Sequence, residues 1–265
     1  MSDLFEDVTE TITGAKGMPD TPRWVLVVDD EPDTCANLAD ILGDLGYQVD
    51  VAHSGPQALK LAAGRMYDLA LLDLRMPGMD GLELYRQLKE RSAGTVAILV
   101  TAYASGETAQ RARDAGAWQI LPKPVDIAKL LELVQQALDQ PLVLVVDDDR
   151  ELCATLWDVL RERGYRVHLA HDVPQAGSVL AGAAIEVVLL DLKLPGGDGT
   201  QVLQQIRRQA PQARTILITA YRDELEEKVQ AALAEGASTV CYKPLEMDNL
   251  LQQLHSLCQF DPGSK

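Results

Sequence analysis

LLDLRMPGMDG occupies residues 71–81, and LLDLKLPGGDG occupies residues 189–199. In each, an apolar run delivers a single Asp and a Pro-Gly turn follows four residues on. An apolar run without alternation is the pattern of a strand buried on both faces, as in a parallel sheet. The two copies lie 118 residues apart. VLVVDD recurs at 25–30 and 143–148 with the same offset, as does Thr-Ala-Tyr at 101–103 and 219–221. Lys-Pro recurs at 123–124 and 243–244, so the second copy gains two residues between its Thr and its Lys. A period this long exceeds the ~20–50 residues of solenoid units and fits two whole domains.

Between these landmarks, strand and helix signals alternate. WVLVV (24–28) reads as a buried strand, and Cys35, Leu38, Ala39, Ile41, Leu42 and Leu45 mark a helix over 33–45 that Gly46 closes. Strand YQVDVA, helix SGPQALKLAAG and strand YDLALL follow, then a helix over 80–91, strand AILV (97–100) and a helix over 106–115. A WQIL strand and a helix over 125–138 complete five βα units; the second copy runs from LVLVV (142–146) to a helix over 246–258. The expected fold class is α/β, two parallel sheets with helices on both faces. The expected organisation is an extension over 1–22, one domain over 23–140 and a second over 141–260. The joint near Pro141 is short enough to hold the halves in a defined arrangement. In the extension, DLFEDVTETI (3–12) sets Leu4, Phe5, Val8 and Ile12 on one helical face, a docking helix or an ordinary frayed terminus.

Composition narrows the function. Of the 265 residues 47% are hydrophobic, enough for two cores, and no apolar run approaches the ~18–20 residues of a membrane span. The start, MSDLFEDVTE, has no secretory signal. Cys35, Cys153, Cys241 and Cys258 make no CxxC pair and are expected as buried thiols in a reducing cytoplasm. A net charge of −16, from 24 Lys+Arg against 40 Asp+Glu, argues against nucleic acid as a partner.

Ligands of open parallel sheets sit beyond the carboxyl ends of the strands. Asp29 and Asp30 close strand one, Asp73 strand three, Thr101 strand four and Lys123 strand five. Taken singly, Asp-Asp is a helix cap and Asp before Pro-Gly a turn former. Taken together, three carboxylates on one rim repel unless a cation joins them, and hard oxygen ligands suit Mg²⁺ or Mn²⁺. Lys123 and Thr101 are then placed to bind the oxygens of a phosphoryl group carried on Asp73 as an acyl phosphate.

VLVVDDEPD, LLDLRMPGMDG, TAY and LPKP resemble the receiver domain of bacterial two-component response regulators, and VLVVDDDRE, LLDLKLPGGDG, TAY and YKP resemble a second one. The resemblance implies flavodoxin-like sheets in strand order 2-1-3-4-5. It implies Mg²⁺ held by Asp30 and Asp73, by Asp29 partly through water, and by the carbonyl of Arg75. The counterparts are Asp148, Asp191, Asp147 and the carbonyl of Lys193, one ion per domain. It implies phosphorylation of Asp73 and Asp191 from a phosphohistidine, sensed by Thr101 with Lys123 and by Thr219 with Lys243, and cis peptides before Pro124 and Pro244. The implied partners are a histidine kinase or phosphotransfer protein and a downstream protein target, with a homodimer as a further form. No membrane insertion and no enzymatic activity beyond slow self-dephosphorylation are expected.

Two departures stand out. The family often has an aromatic three residues before the Lys, where this chain has Ile120 and Val240; Tyr103 and Tyr221 are the candidates to replace it. No appended effector is expected after the second copy, and signalling through protein contacts is expected instead. The alternative is the regulatory portion of a larger signalling enzyme, a cyclase or hybrid kinase. A haloacid-dehalogenase-like phosphatase would want a second Asp two residues after the first, where Arg75 and Lys193 stand. His53 and His171, repeat-equivalent, are expected as loop residues and not as phosphodonors.

Overall fold

The short apolar runs become strands. The computed structural model describes residues 22–102, 106–194, 197–219 and 226–258; the stretch 3–12, Tyr103 and Tyr221 lie outside them. In the first half β1 (Trp24–Val28), β2 (Gln48–Ala52), β3 (Leu69–Asp73), β4 (Val96–Thr101) and β5 (Gln119–Pro122) alternate with helices. These are α1 (Pro32–Asp44), α2 (Gly55–Ala62), α3 (Gly81–Arg91), α4 (Gly106–Ala115) and α5 (Ile127–Leu138). The parallel sheet has the order β2-β1-β3-β4-β5.

The second half repeats this with β6 (Leu142–Val146), β7 (Arg166–Ala170), β8 (Val187–Asp191), β11 (Arg214–Thr219) and β12 (Thr239–Tyr242), in the order β7-β6-β8-β11-β12. Its helices are α6 (Arg150–Glu162), α7 (Val173–Gly182), α8 (Gly199–Gln209), α9 (Glu226–Ala234) and α10 (Met247–Cys258). A short antiparallel pair, β9 (Lys193–Leu194) with β10 (Gly197–Asp198), follows β8 and was not expected from the sequence. Both halves are α/β and flavodoxin-like, with the strand order that the resemblance implied.

Period-two alternation divides each central strand between two cores. Val25 and Val27 pack with Leu38, Leu42 and Leu130 on one face of the first sheet, while Leu26 and Val28 pack with Leu82, Tyr85 and Leu88 on the other. Gly46 turns the chain after α1 at φ 87°, a conformation glycine adopts without steric cost. Cys35, Cys153 and Cys241 are buried free thiols; Cys258, in the last turn of α10, is only half-buried. Among the described residues no helix is long and apolar enough to cross a membrane.

The halves meet through a polar joint at the amino ends of β3, β4 and β5. Arg166, on edge strand β7, is 2% exposed, and its Nη2 donates to Asp68 Oδ1 at 2.8 Å and to the Asp68 carbonyl at 3.3 Å. Asp68 Oδ2 accepts from the Trp24 amide at 2.8 Å. Burial works against the Asp68 charge, yet Arg166, the Trp24 amide and Arg23 outweigh it and hold the carboxyl below its ordinary range. Trp157 of α6 donates Nε1 to the Ala93 carbonyl at 3.0 Å, with Lys89 Nζ 3.3 Å from its ring centroid. Arg161 donates to the Gly116 carbonyl. His168 packs at Gly94, where an added Cβ would lie 2.5 Å from the ring. Burial, with Arg166 adding to it, holds the His168 pKa down to about 4, so the ring is neutral there.

Removing Asp68 leaves a buried guanidinium without its counter-charge. Asp68→Ala is expected to cost about 3 kcal/mol in urea denaturation, and adding Arg166→Met should recover most of that loss.

Candidate functional site

Parallel strands that stop at one level bring their carboxyl ends together. Asp73 and Thr101 are the last residues of β3 and β4, as read from sequence; Asp29 and Lys123, read as closing strands one and five, lie one residue beyond the ends of β1 and β5. The Asp29 amide still bonds the Ala52 carbonyl at 3.2 Å, which extends the ladder to the site. Neither aspartate of each pair caps the following helix: the N-cap of α1 is Glu31, and that of α6 is Asp149, which accepts from the Glu151 and Leu152 amides. Asp29, Asp30, Asp147 and Asp148 are therefore spared for the rim.

Asp29, Asp30 and Asp73 form one cluster and Asp147, Asp148 and Asp191 a second, each with candidate ligand oxygens within 4.8 Å of one another. In each cluster two carboxylates are buried and one is exposed. Lys123 Nζ donates to Asp29 Oδ2 at 2.7 Å and to Asp73 Oδ2 at 2.8 Å. Lys243 Nζ donates to Asp147 Oδ2 and Asp191 Oδ2, both at 2.7 Å. The other oxygens are held by the backbone. Asp29 Oδ1 accepts from Glu31 N at 2.9 Å and Asp73 Oδ1 from Arg75 N at 3.1 Å. In the second cluster the Asp149 and Lys193 amides do the same at 3.0 and 2.8 Å. The peptides before Pro124 and Pro244 are cis.

The electrostatics follow from burial. Burial alone would lower the pKa of Lys123 and Lys243, but the hydrogen bonds each donates to two carboxylates outweigh it and raise both above the ordinary lysine range. Burial pushes the Asp147 carboxyl up, with Asp191 adding to it, against the pull of Lys243 and the Asp149 amide. A set of three carboxylates offering only hard oxygen atoms fits a divalent cation such as Mg²⁺, which would relieve that repulsion. Thr101 and Thr219 are fully buried, and the Thr219 hydroxyl has no hydrogen-bond partner among the described residues. An orphaned buried hydroxyl beside such a cluster suits a ligand oxygen. In the first half, Asp30, Arg75 and Met76 also line a cavity of about 500 Å³ together with Thr108 and Arg111.

Residues beyond the motif's carboxylates shape these sites. α3 and α8 start so close to β3 and β8 that a Cβ on Gly81 would lie 2.3 Å from the Asp73 carbonyl oxygen, and one on Gly199 2.6 Å from that of Asp191. Cys35 and Cys153 donate to the carbonyls of Asp29 and Asp147, each at 3.3 Å. The 118-residue offset relates Gly81 to Gly199 and Cys35 to Cys153, a signal the sequence carried but the motifs did not single out. Ile120 and Val240 occupy β5 and β12 as expected, each half-buried.

Gly81→Ala is expected to lower stability by about 2 kcal/mol in urea denaturation, because backbone must move. Gly43→Ala, in α1 with nothing within 4 Å of the added Cβ, is expected to be neutral or stabilising by up to ~1 kcal/mol.

Known proteins resemble this chain in sequence, some over one half and one over most of its length. The family described as response regulator receiver domain matches residues 25–135 and again 143–255. A response regulator receiver protein of Anaeromyxobacter sp. strain Fw109-5 is 33% identical over 233 residues, 88% of this chain and 95% of that protein. The transcriptional regulatory protein ZraR of Escherichia coli O157:H7 is 40% identical over 114 residues, 43% of this chain and 26% of that protein. A crystal structure of a CheY-like receiver domain protein from Methanospirillum hungatei JF-1 is 33% identical, covering 45% of this chain and 95% of its own, with a TM-score of 0.44. The chain belongs to the response regulator receiver family of two-component signalling and carries the receiver domain twice.

Proposed function

We propose that the chain is a tandem phosphoacceptor. Each half takes a phosphoryl group from a phosphohistidine of a histidine kinase or phosphotransfer protein, and the chain then signals through protein contacts. The observation that carries this reading is the doubled arrangement in which one lysine bridges two buried carboxylates beside a third, exposed one.

An Asp73 or Asp191 oxygen is the nucleophile. The oxygen–phosphorus bond forms as the nitrogen–phosphorus bond of the phosphohistidine breaks, and the departing imidazole takes up a proton from solvent. Lys123 or Lys243 moves one hydrogen bond from the carboxylate to a phosphoryl oxygen, and its raised pKa keeps it a cation throughout. The hydroxyl of Thr101 or Thr219 donates to another phosphoryl oxygen, which gives the orphaned Thr219 oxygen a partner. Asp29, Asp30, Asp73 and the Arg75 carbonyl would hold one Mg²⁺, and Asp147, Asp148, Asp191 and the Lys193 carbonyl a second; Mn²⁺ suits the same donors. The ion supplies positive charge that offsets the carboxylates and the incoming phosphoryl oxygens.

Intact-mass measurement with Mg²⁺ and a small-molecule phosphodonor should show two added phosphoryl groups. Asp73→Asn and Asp191→Asn should each leave one, and the double substitution none. A wild-type chain that saturates at one group would contradict two working acceptors.

A further inference from the structure

The carbonyl at the end of each first strand is gripped by side chains in both halves. His53 Nδ1 lies 3.3 Å from the Asp29 carbonyl oxygen, and His171 Nδ1 lies 3.0 Å from that of Asp147. A carbonyl oxygen only accepts, so Nδ1 carries the proton in both rings. The backbone carrying each ring is also held: the His53 backbone amide donates to Gln57 Oε1 at 2.8 Å, and the His171 backbone amide to Gln175 Oε1 at 3.0 Å. The thiols of Cys35 and Cys153 add a second donor to the same two carbonyls. Burial, with Asp147 and Asp149 adding to it, pushes the Cys153 thiol up to about 12, so it keeps the proton it donates. Cys, His and Gln all repeat at the 118-residue offset, so the grip is built twice from the same parts.

What the grip holds is the peptide joining the paired aspartates. A peptide unit is planar, so fixing the carbonyl of Asp29 or Asp147 also fixes the amide and Cα direction of Asp30 or Asp148. Asp29 and Asp147 already have their carboxylates tied by a lysine and a backbone amide. Asp30 and Asp148 are the exposed members of their clusters. An exposed carboxylate that must be ordered on binding loses affinity for its ligand, and a restrained backbone reduces that loss.

We propose that His53 and His171 are positioning residues of the metal pockets: through Nδ1–H each sets the backbone from which Asp30 or Asp148 reaches the other two carboxylates. This rests on the reading of the clusters as Mg²⁺ sites. The alternative role is to satisfy a buried carbonyl and nothing more.

The test is Mg²⁺ affinity by calorimetry on the full chain in an Asp73→Asn background, whose first cluster has lost one carboxylate. His171→Ala is expected to weaken binding at the second site about fivefold, the equivalent of one hydrogen bond of ~1 kcal/mol. His171→Asn should restore it, because its Nδ2–H sits the same number of bonds from Cβ as imidazole Nδ1. His171→Gln, whose amide corresponds to Nε2, should not. Thermal unfolding without Mg²⁺ is measured on the same variants. Lost stability with unchanged Mg²⁺ affinity, or equal affinity in the Ala and Asn variants, overturns the positioning role. No Mg²⁺ binding by the Asp73→Asn chain with His171 intact overturns the underlying metal reading, and the proposal with it.

Discussion

Burying two aspartates side by side is unfavourable unless a cation joins them, and each half places its two buried acids, Asp29 with Asp73 or Asp147 with Asp191, within reach of one lysine. The parallel sheet imposes this. Its central strands are apolar on both faces, so polar groups of the core layer gather where those strands end. Lys123 and Lys243 each reach both carboxylates from the neighbourhood of a strand on the far side of the sheet. Both lysines have raised pKa values, so the stabilisation is fully in force below the ordinary lysine pKa of about 10.4. It fades only as pH rises through the higher folded-state value.

The two halves are alike at their acidic ends and differ where they meet. In β2 the residues equivalent to Arg166 and His168 are Gln48 and Asp50; Gln48 is exposed and Asp50 only half-buried. In β7 the arginine and histidine are buried under the amino ends of the first sheet. The joint thus lies at the strand ends opposite the first acidic cluster, which leaves that cluster's rim and its cavity clear. Arg166 Nε and Nη1 are buried without a partner among the described residues, so its tie to Asp68 is the interaction that offsets its burial.

The internal repeat made much of this legible. Unbroken apolar runs such as VLVV and LALL admit few other readings when helices separate them, and strand ends then fix which side chains share a rim. Asp29, Asp73, Thr101 and Lys123 could be placed together without knowing any contact. Side chains defined by a neighbour were not legible. Gly81 reads as a helix start, yet its lack of a Cβ lets α3 approach the Asp73 carbonyl. His53 and His171 read as loop residues, because a ring-to-carbonyl contact leaves no periodicity. Arg166 and His168 read as an ordinary strand segment, since their burial comes from the other half. The β9–β10 pair also gave no signal, because two-residue strands are shorter than any pattern.

The central claim is that each lysine offsets two buried carboxylates and that a divalent cation at the cluster can do the same. The most direct measurement is thermal unfolding of Lys243→Met with and without Mg²⁺, beside the unsubstituted chain. Without Mg²⁺ the variant should be less stable by about 3 kcal/mol, the loss expected when one partner of a buried pair is removed. Mg²⁺ should stabilise the variant more than it stabilises the unsubstituted chain. A variant as stable as the unsubstituted chain, with the same response to Mg²⁺, would contradict the account.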